Sequence, residues 1–130
     1  MGSGHSGMNP KRTILYVADD LSSSNSIIGK LTSSGFELIR ARKGAEAVAK
    51  LFTHRKVEAI VLDQRETTRV SLGLAKFIKS FWAAMPVILL STQLLDPLPR
   101  CIDAGVCLQE ELGGLVPTIE LLLDSSDAAV

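Results

Sequence analysis

The sequence predicts an α/β domain in which a parallel sheet is wound with helices on both faces. Two observations lead there. Short apolar runs rich in β-branched residues alternate with amphipathic stretches whose apolar residues recur at helical spacing. The length, 130 residues, supplies one domain and not two ordinary ones. Five strand signals alternating with five helix signals make a βα repeat, and a strand that returns through a helix pairs parallel to the one before it.

Each element has its own signature. Thr13 to Ala18 is apolar and β-rich and stops at Asp19-Asp20, which suits a first strand buried on both faces. A serine-rich stretch leads into Ile27, Ile28 and Leu31, with Asp20 or a serine as N-cap and Gly35 as C-cap of helix one. Phe36 to Ala41 reads as strand two. Ala45, Val48, Ala49 and Phe52 form the apolar stripe of helix two, which ends near His54 and Lys56. Ala59 to Leu62, before Asp63, is the most clearly buried strand, and Leu74, Phe77, Ile78 and Phe81 repeat the helical stripe after a polar loop. Pro86 to Leu90, ending at Ser91, is strand four. Pro97 and Pro99 confine the next helix to a short piece over Leu98 to Ala104, ended by Gly105, and Val106 to Gln109 is a weak fifth strand. Leu112, Leu115, Val116, Ile119, Leu122 and Leu123 define a last helix that tolerates Pro117 only in its first turn.

Composition narrows the function. Hydrophobic residues make up 46% and charged residues 22%, a globular balance. Lys plus Arg and Asp plus Glu both number 14, so the net charge is zero and the basic excess used against phosphate backbones is missing. Direct nucleic-acid binding is therefore disfavoured, and no apolar run approaches the ~20 residues of a membrane helix. Cys101 and Cys107 match no zinc spacing and read as buried thiols in a reducing, cytoplasmic setting. Residues 1–8 read as an expression-tag remnant, the domain runs over residues 9–124, and residues 125–130 form a polar tail or the start of a linker.

Sites in open α/β sheets form outside the carboxyl ends of the strands, where strand order reverses. Strand one ends in Asp19-Asp20, strand three in Asp63 and strand four in Ser91. With an order 2-1-3-4-5, the three acids share one rim, and their mutual repulsion favours a divalent cation such as Mg²⁺. Taken singly, Asp19 and Asp20 also read as helix caps and Asp63 as a loop start. Tyr16 and Trp82 read as packing residues, and His54 as a surface residue at a helix end.

Four ordered segments carry a resemblance. Ile14-Leu-Tyr-Val-Ala-Asp-Asp20, Ala41-Arg-Lys-Gly-Ala-Glu-Ala-Val48, Ile60-Val-Leu-Asp63 and Pro86-Val-Ile-Leu-Leu-Ser91 are similar to the receiver domain of two-component response regulators, the CheY-like superfamily, over Lys11 to about Leu123. The resemblance implies a flavodoxin-like fold and a phosphorelay role in the cytoplasm. Asp63 would be the phosphoacceptor, Asp20 and Asp63 Mg²⁺ ligands with the backbone carbonyl of Arg65, Asp19 an outer-shell partner and Ser91 the switch hydroxyl. It implies a histidine kinase or phosphotransfer protein as donor and an output domain or protein downstream, leaves room for a homodimer, and implies no enzyme acting on a separate substrate.

The sequence also departs from that family. The lysine-proline pair after strand five is absent, and Glu110 or Gln109 stands at the lysine's place, where a carboxylate would repel an added dianion. Cys107 stands at the usual aromatic switch position, and the loop Gln64 to Ser71 lacks the family's proline and Asp-Gly. The Arg65 guanidinium either compensates for the missing lysine or is an ordinary solvated loop arginine. A pseudo-receiver that binds partners without phosphorylation is the alternative. A small flavodoxin-like enzyme fits less well, since the first strand turn has no glycine-rich phosphate loop.

Overall fold

A computed structural model describes residues 12–18, 25–54, 56–63, 68–91, 97–107 and 114–128. The elements are β1 (Thr13–Ala18), α1 (Asn25–Ser33), β2 (Glu37–Ala41), α2 (Gly44–Thr53), β3 (Val57–Asp63), α3 (Thr68–Phe81), β4 (Val87–Ser91), β5 (Ala104–Cys107) and α4 (Leu115–Ala128). All strand pairs are parallel, and the sheet runs in the order β2-β1-β3-β4-β5. This is the doubly wound sheet that the βα alternation implies.

The strands alternate their side chains between two cores. On one face Ile14, Tyr16 and Ala18 of β1, Ala59 and Val61 of β3, and Ile88 and Leu90 of β4 meet α1 through Ile27 and Leu31 and α4 through Leu115, Ile119 and Leu123. On the other, Leu15, Val17, Ile60, Leu62, Val87 and Leu89 meet α2 through Ala47 and Leu51 and α3 through Ala75 and Ile78. A strand covered on both sides must be apolar at its covered positions, which is why residues 14–18 of β1, 59–62 of β3 and 87–90 of β4 were legible as unbroken apolar runs, while Glu58 near the start of β3 is exposed.

Local chemistry sets the ends. Gly35 takes φ +96°, where a side chain would be strained, and Phe36 N–H returns to the Leu31 carbonyl at 3.2 Å, so α1 stops and the chain turns into β2. Pro117 lies in the first turn of α4, the place a helix accepts it. Asp103 closes the far side. Its carboxylate accepts the Val87 N–H at 2.7 Å and pairs with Lys79 Nζ at 2.7 Å, while its own N–H bonds the Val87 carbonyl at 2.8 Å.

Four expectations need correction. The stripe Ala45, Val48, Ala49 and Phe52 is not the buried face of α2: Ala47 and Leu51 are buried, and Phe52 is 58% exposed. Gly44, Ala47, Val48 and Leu51 have the same i, i+3, i+4, i+7 spacing, and packing against Leu62 and Ile78 selects that register. In α3 the core takes Ala75 and Ile78, leaving Phe77 45% and Phe81 59% exposed. Residues 98–103 form no helix; they turn at Arg100–Cys101, with Ile102 N–H on the Pro99 carbonyl at 3.0 Å. Strand β5 then starts at Ala104, ahead of the expected Val106, and incorporates Gly105. Two prolines leave too few backbone donors for a stable turn of helix, and pairing with β4 captures the chain instead.

Candidate functional site

The carboxyl ends of the strands form a single rim. Ala18, the last residue of β1, pairs with Asp63, the last of β3; Asp63 pairs with Leu90; and Ser91, the last of β4, pairs with Cys107, the last of β5. Asp63 is 4% and Ser91 6% exposed. A carboxylate so deeply placed at the end of an apolar strand is costly unless hydrogen-bonded, and such groups concentrate where chemistry is done.

One of its partners rises from the core. The Tyr16 hydroxyl donates to Asp63 Oδ2. Tyr16 pairs with Val61, so Asp63 is its diagonal neighbour two residues further along β3, on the same face of the sheet. A tyrosine is long enough to span that diagonal. Its side chain is fully buried among aliphatic residues of β1, β3, α1 and α4. Tyr16 is a packing residue, as its sequence setting suggested, and also a direct partner of the candidate acceptor, which that reading missed. The sequence carried half of the signal: a buried tyrosine needs a partner for its hydroxyl, but that the partner is Asp63 follows only from the register of β1 on β3.

The structure thus brings Asp63 and Ser91 to adjacent strand ends. Asp19 and Asp20, which follow Ala18 directly in the chain, lie outside the described residues, as do Arg65, Gln109 and Glu110. Among the described residues no three His, Cys, Asp or Glu side chains group as a metal site. The donor chemistry at the rim nonetheless fits a hard cation. Asp63 supplies a buried carboxylate, and the parallel pairing of Ala18 with Asp63 delivers the chain to the same rim just before two further acids. His54 is exposed at the end of α2, far from this rim in the topology. Cys101 is buried and Cys107 half-buried.

The opposite end of the sheet has a different character. Phe52, Phe77, Phe81 and Trp82 stack edge-on or tilted, with ring centroids 5.1 to 6.2 Å apart, where α2 and α3 end. No helix among the described residues is long and apolar enough to cross a membrane.

No protein-family model matches the sequence, and no curated protein matches it. Solved structures do match the fold. A response regulator receiver domain protein from Clostridium thermocellum superposes with a TM-score of 0.79 at 14% identity, over 91% of this chain and 98% of the other. The response regulator TrrA from Thermotoga maritima, solved in complex with Mg²⁺-BeF, superposes at 0.75 with 23% identity over 85% of this chain and 98% of its own. The receiver domain of Francisella response regulator 1452 superposes at 0.74 with 22% identity over 91% and 99%. Strand order, layer arrangement and these superpositions agree that the chain has the fold of CheY-like response regulator receiver domains.

Proposed function

We propose that the chain is a phosphoacceptor receiver module of a two-component phosphorelay, with Asp63 as the acceptor. The observation that carries this reading is the buried carboxylate at the end of β3, one strand from the Ser91 hydroxyl, in a sheet of receiver order. An oxygen of Asp63 attacks the phosphorus of a phosphohistidine on a kinase or phosphotransfer protein. The P–N bond breaks, its electron pair stays on the imidazole nitrogen, and the product is an acyl phosphate on Asp63. Asp20, Asp63 and the Arg65 carbonyl, with Asp19 behind them, are the residues that would hold Mg²⁺. Bound there, the ion offsets the negative charge of the incoming phosphoryl oxygens. Ser91 is the hydroxyl placed to bond the new phosphoryl oxygens, and the face around β4 and β5 is the one that changes for a downstream partner. The module is not an enzyme for a separate substrate, and its setting is the cytoplasm, where such kinases present their phosphohistidine.

The test is incubation with phosphoramidate and Mg²⁺, followed by intact mass. A single phosphoryl gain that disappears in Asp63→Asn and without Mg²⁺ supports the reading. A chain that stays unmodified under conditions that label a known receiver belongs to the second reading, a constitutive pseudo-receiver. One sequence feature favours that second reading: Glu110 or Gln109 at the place of the family's lysine.

A further inference from the structure

We propose that Tyr16 gates the acceptor: its hydroxyl, bonded to Asp63 Oδ2 from the core side, competes with the divalent cation and the phosphodonor for the same carboxylate. The inference rests on Asp63 being the acceptor. A carboxylate has two oxygens. The reading above asks both to face outward, one as a metal ligand and the other as the nucleophile. The structure turns Oδ2 towards the interior instead.

The hydroxyl cannot simply follow the carboxylate outward. Tyr16 is fully buried, its strand is paired on both sides, and its ring is packed in the cluster formed with Ile27, Leu31 and Leu115. Cation and donor arrive from the opposite direction, past the strand ends. Every encounter therefore draws Asp63 away from, or divides it with, a donor fixed in the core. Hydrogen-bond donation also withdraws electron density from the carboxylate, which weakens it both as ligand and as nucleophile. A hydrogen bond to a charged group is worth roughly tenfold to a hundredfold in an equilibrium. With the lysine of strand five absent from the sequence, this hydroxyl is a donor that holds Asp63 from inside the domain rather than one that secures the phosphoryl group from outside.

Tyr16→Phe removes one oxygen and keeps the ring, so the packing survives; an unchanged pattern of core methyl resonances verifies that. Mg²⁺ affinity is read from the amide shifts of Asp63 and Ser91 during titration with the metal alone. The rate of modification is read by intact mass with phosphoramidate. The gate predicts that Tyr16→Phe binds Mg²⁺ about tenfold more tightly and is modified several-fold faster than wild type, with both signals lost in Tyr16→Phe/Asp63→Asn. A purely structural role would leave both readouts unchanged or lower them, and either result overturns the gate. If wild type and Tyr16→Phe are modified at the same rate, the gate falls and the receiver reading stands. If neither binds Mg²⁺ nor is modified, both fall together.

Discussion

Asp103 tethers the start of β4 to the segment entering β5, and its removal should cost more than that of an ordinary surface acid. Its carboxylate does two things: it accepts the Val87 N–H at 2.7 Å, and it pairs with Lys79 at 2.7 Å, with side chains 32% and 20% exposed. A hydrogen bond to a charged acceptor contributes roughly 1.5–3 kcal/mol when buried, and the partial exposure of Asp103 places it at the low end, about 1.5 kcal/mol. The ion pair adds about 0.5 kcal/mol at such exposure. Asp103→Ala should therefore lose about 2 kcal/mol, and Lys79→Met, which keeps the aliphatic stem, only about 0.5 kcal/mol. Asp103→Asn keeps an acceptor for Val87 and should lose about 1 kcal/mol. Urea denaturation of the three single variants and the Asp103→Ala/Lys79→Met double variant gives these values, and the cycle isolates a coupling of about 0.5 kcal/mol. Hydrogen exchange locates the damage. Since Ile88 pairs with Ala104 immediately beyond the tether, the amides of β5 should lose protection before those of β1 or β3. If Asp103→Ala costs no more than Lys79→Met, the carboxylate acts as an ion-pair partner alone, and the reasoning about the backbone donor is wrong.

Adjacent residues of α2 should respond in opposite measure to their size: Leu51→Ala, in the core, should cost about 2–4 kcal/mol by chemical denaturation, and Phe52→Ala, 58% exposed, about 1 kcal/mol from its ring contacts. Phe52→Ala should also change the near-ultraviolet circular dichroism of Trp82, whose ring centroid lies 5.1 Å away. Gly35→Ala meets no atom within 4 Å, so its cost is the φ +96° conformation alone, about 1 kcal/mol in Tm-derived stability after the gain from a stiffer unfolded chain.

The central strands were legible in the sequence because burial on both faces leaves little ambiguity: residues 14–18, 59–62 and 87–90 are unbroken apolar runs that stop at Asp19, Asp63 and Ser91. Helix faces were harder. In α2 two overlapping stripes have equal spacing, and only tertiary packing distinguishes Leu51 from Phe52. The turn before β5 was misread because a proline pair and a glycine fit a capped short helix as well as an irregular turn, whereas pairing with β4 is a long-range fact. Asp63 and Ser91 emerged as site candidates from strand ends alone, since parallel topology sends every strand's carboxyl end to one side. Tyr16 did not, because its partnership depends on the register between β1 and β3, which a single sequence does not encode locally.

Sheet position also divides the domain mechanically. Strand β3 is held by β1 on one side and β4 on the other, along a fully buried stretch, so the backbone under Asp63 behaves as a fixed axle. Among the described residues strand β5 has four residues and one strand neighbour, and its glycine adds no side chain to brace it. A charge placed at the axle cannot be relieved by moving the axle. Among the described strands β5 is held on one side only, so it is the more compliant end of the sheet, and Cys107, the paired neighbour of Ser91, lies on it.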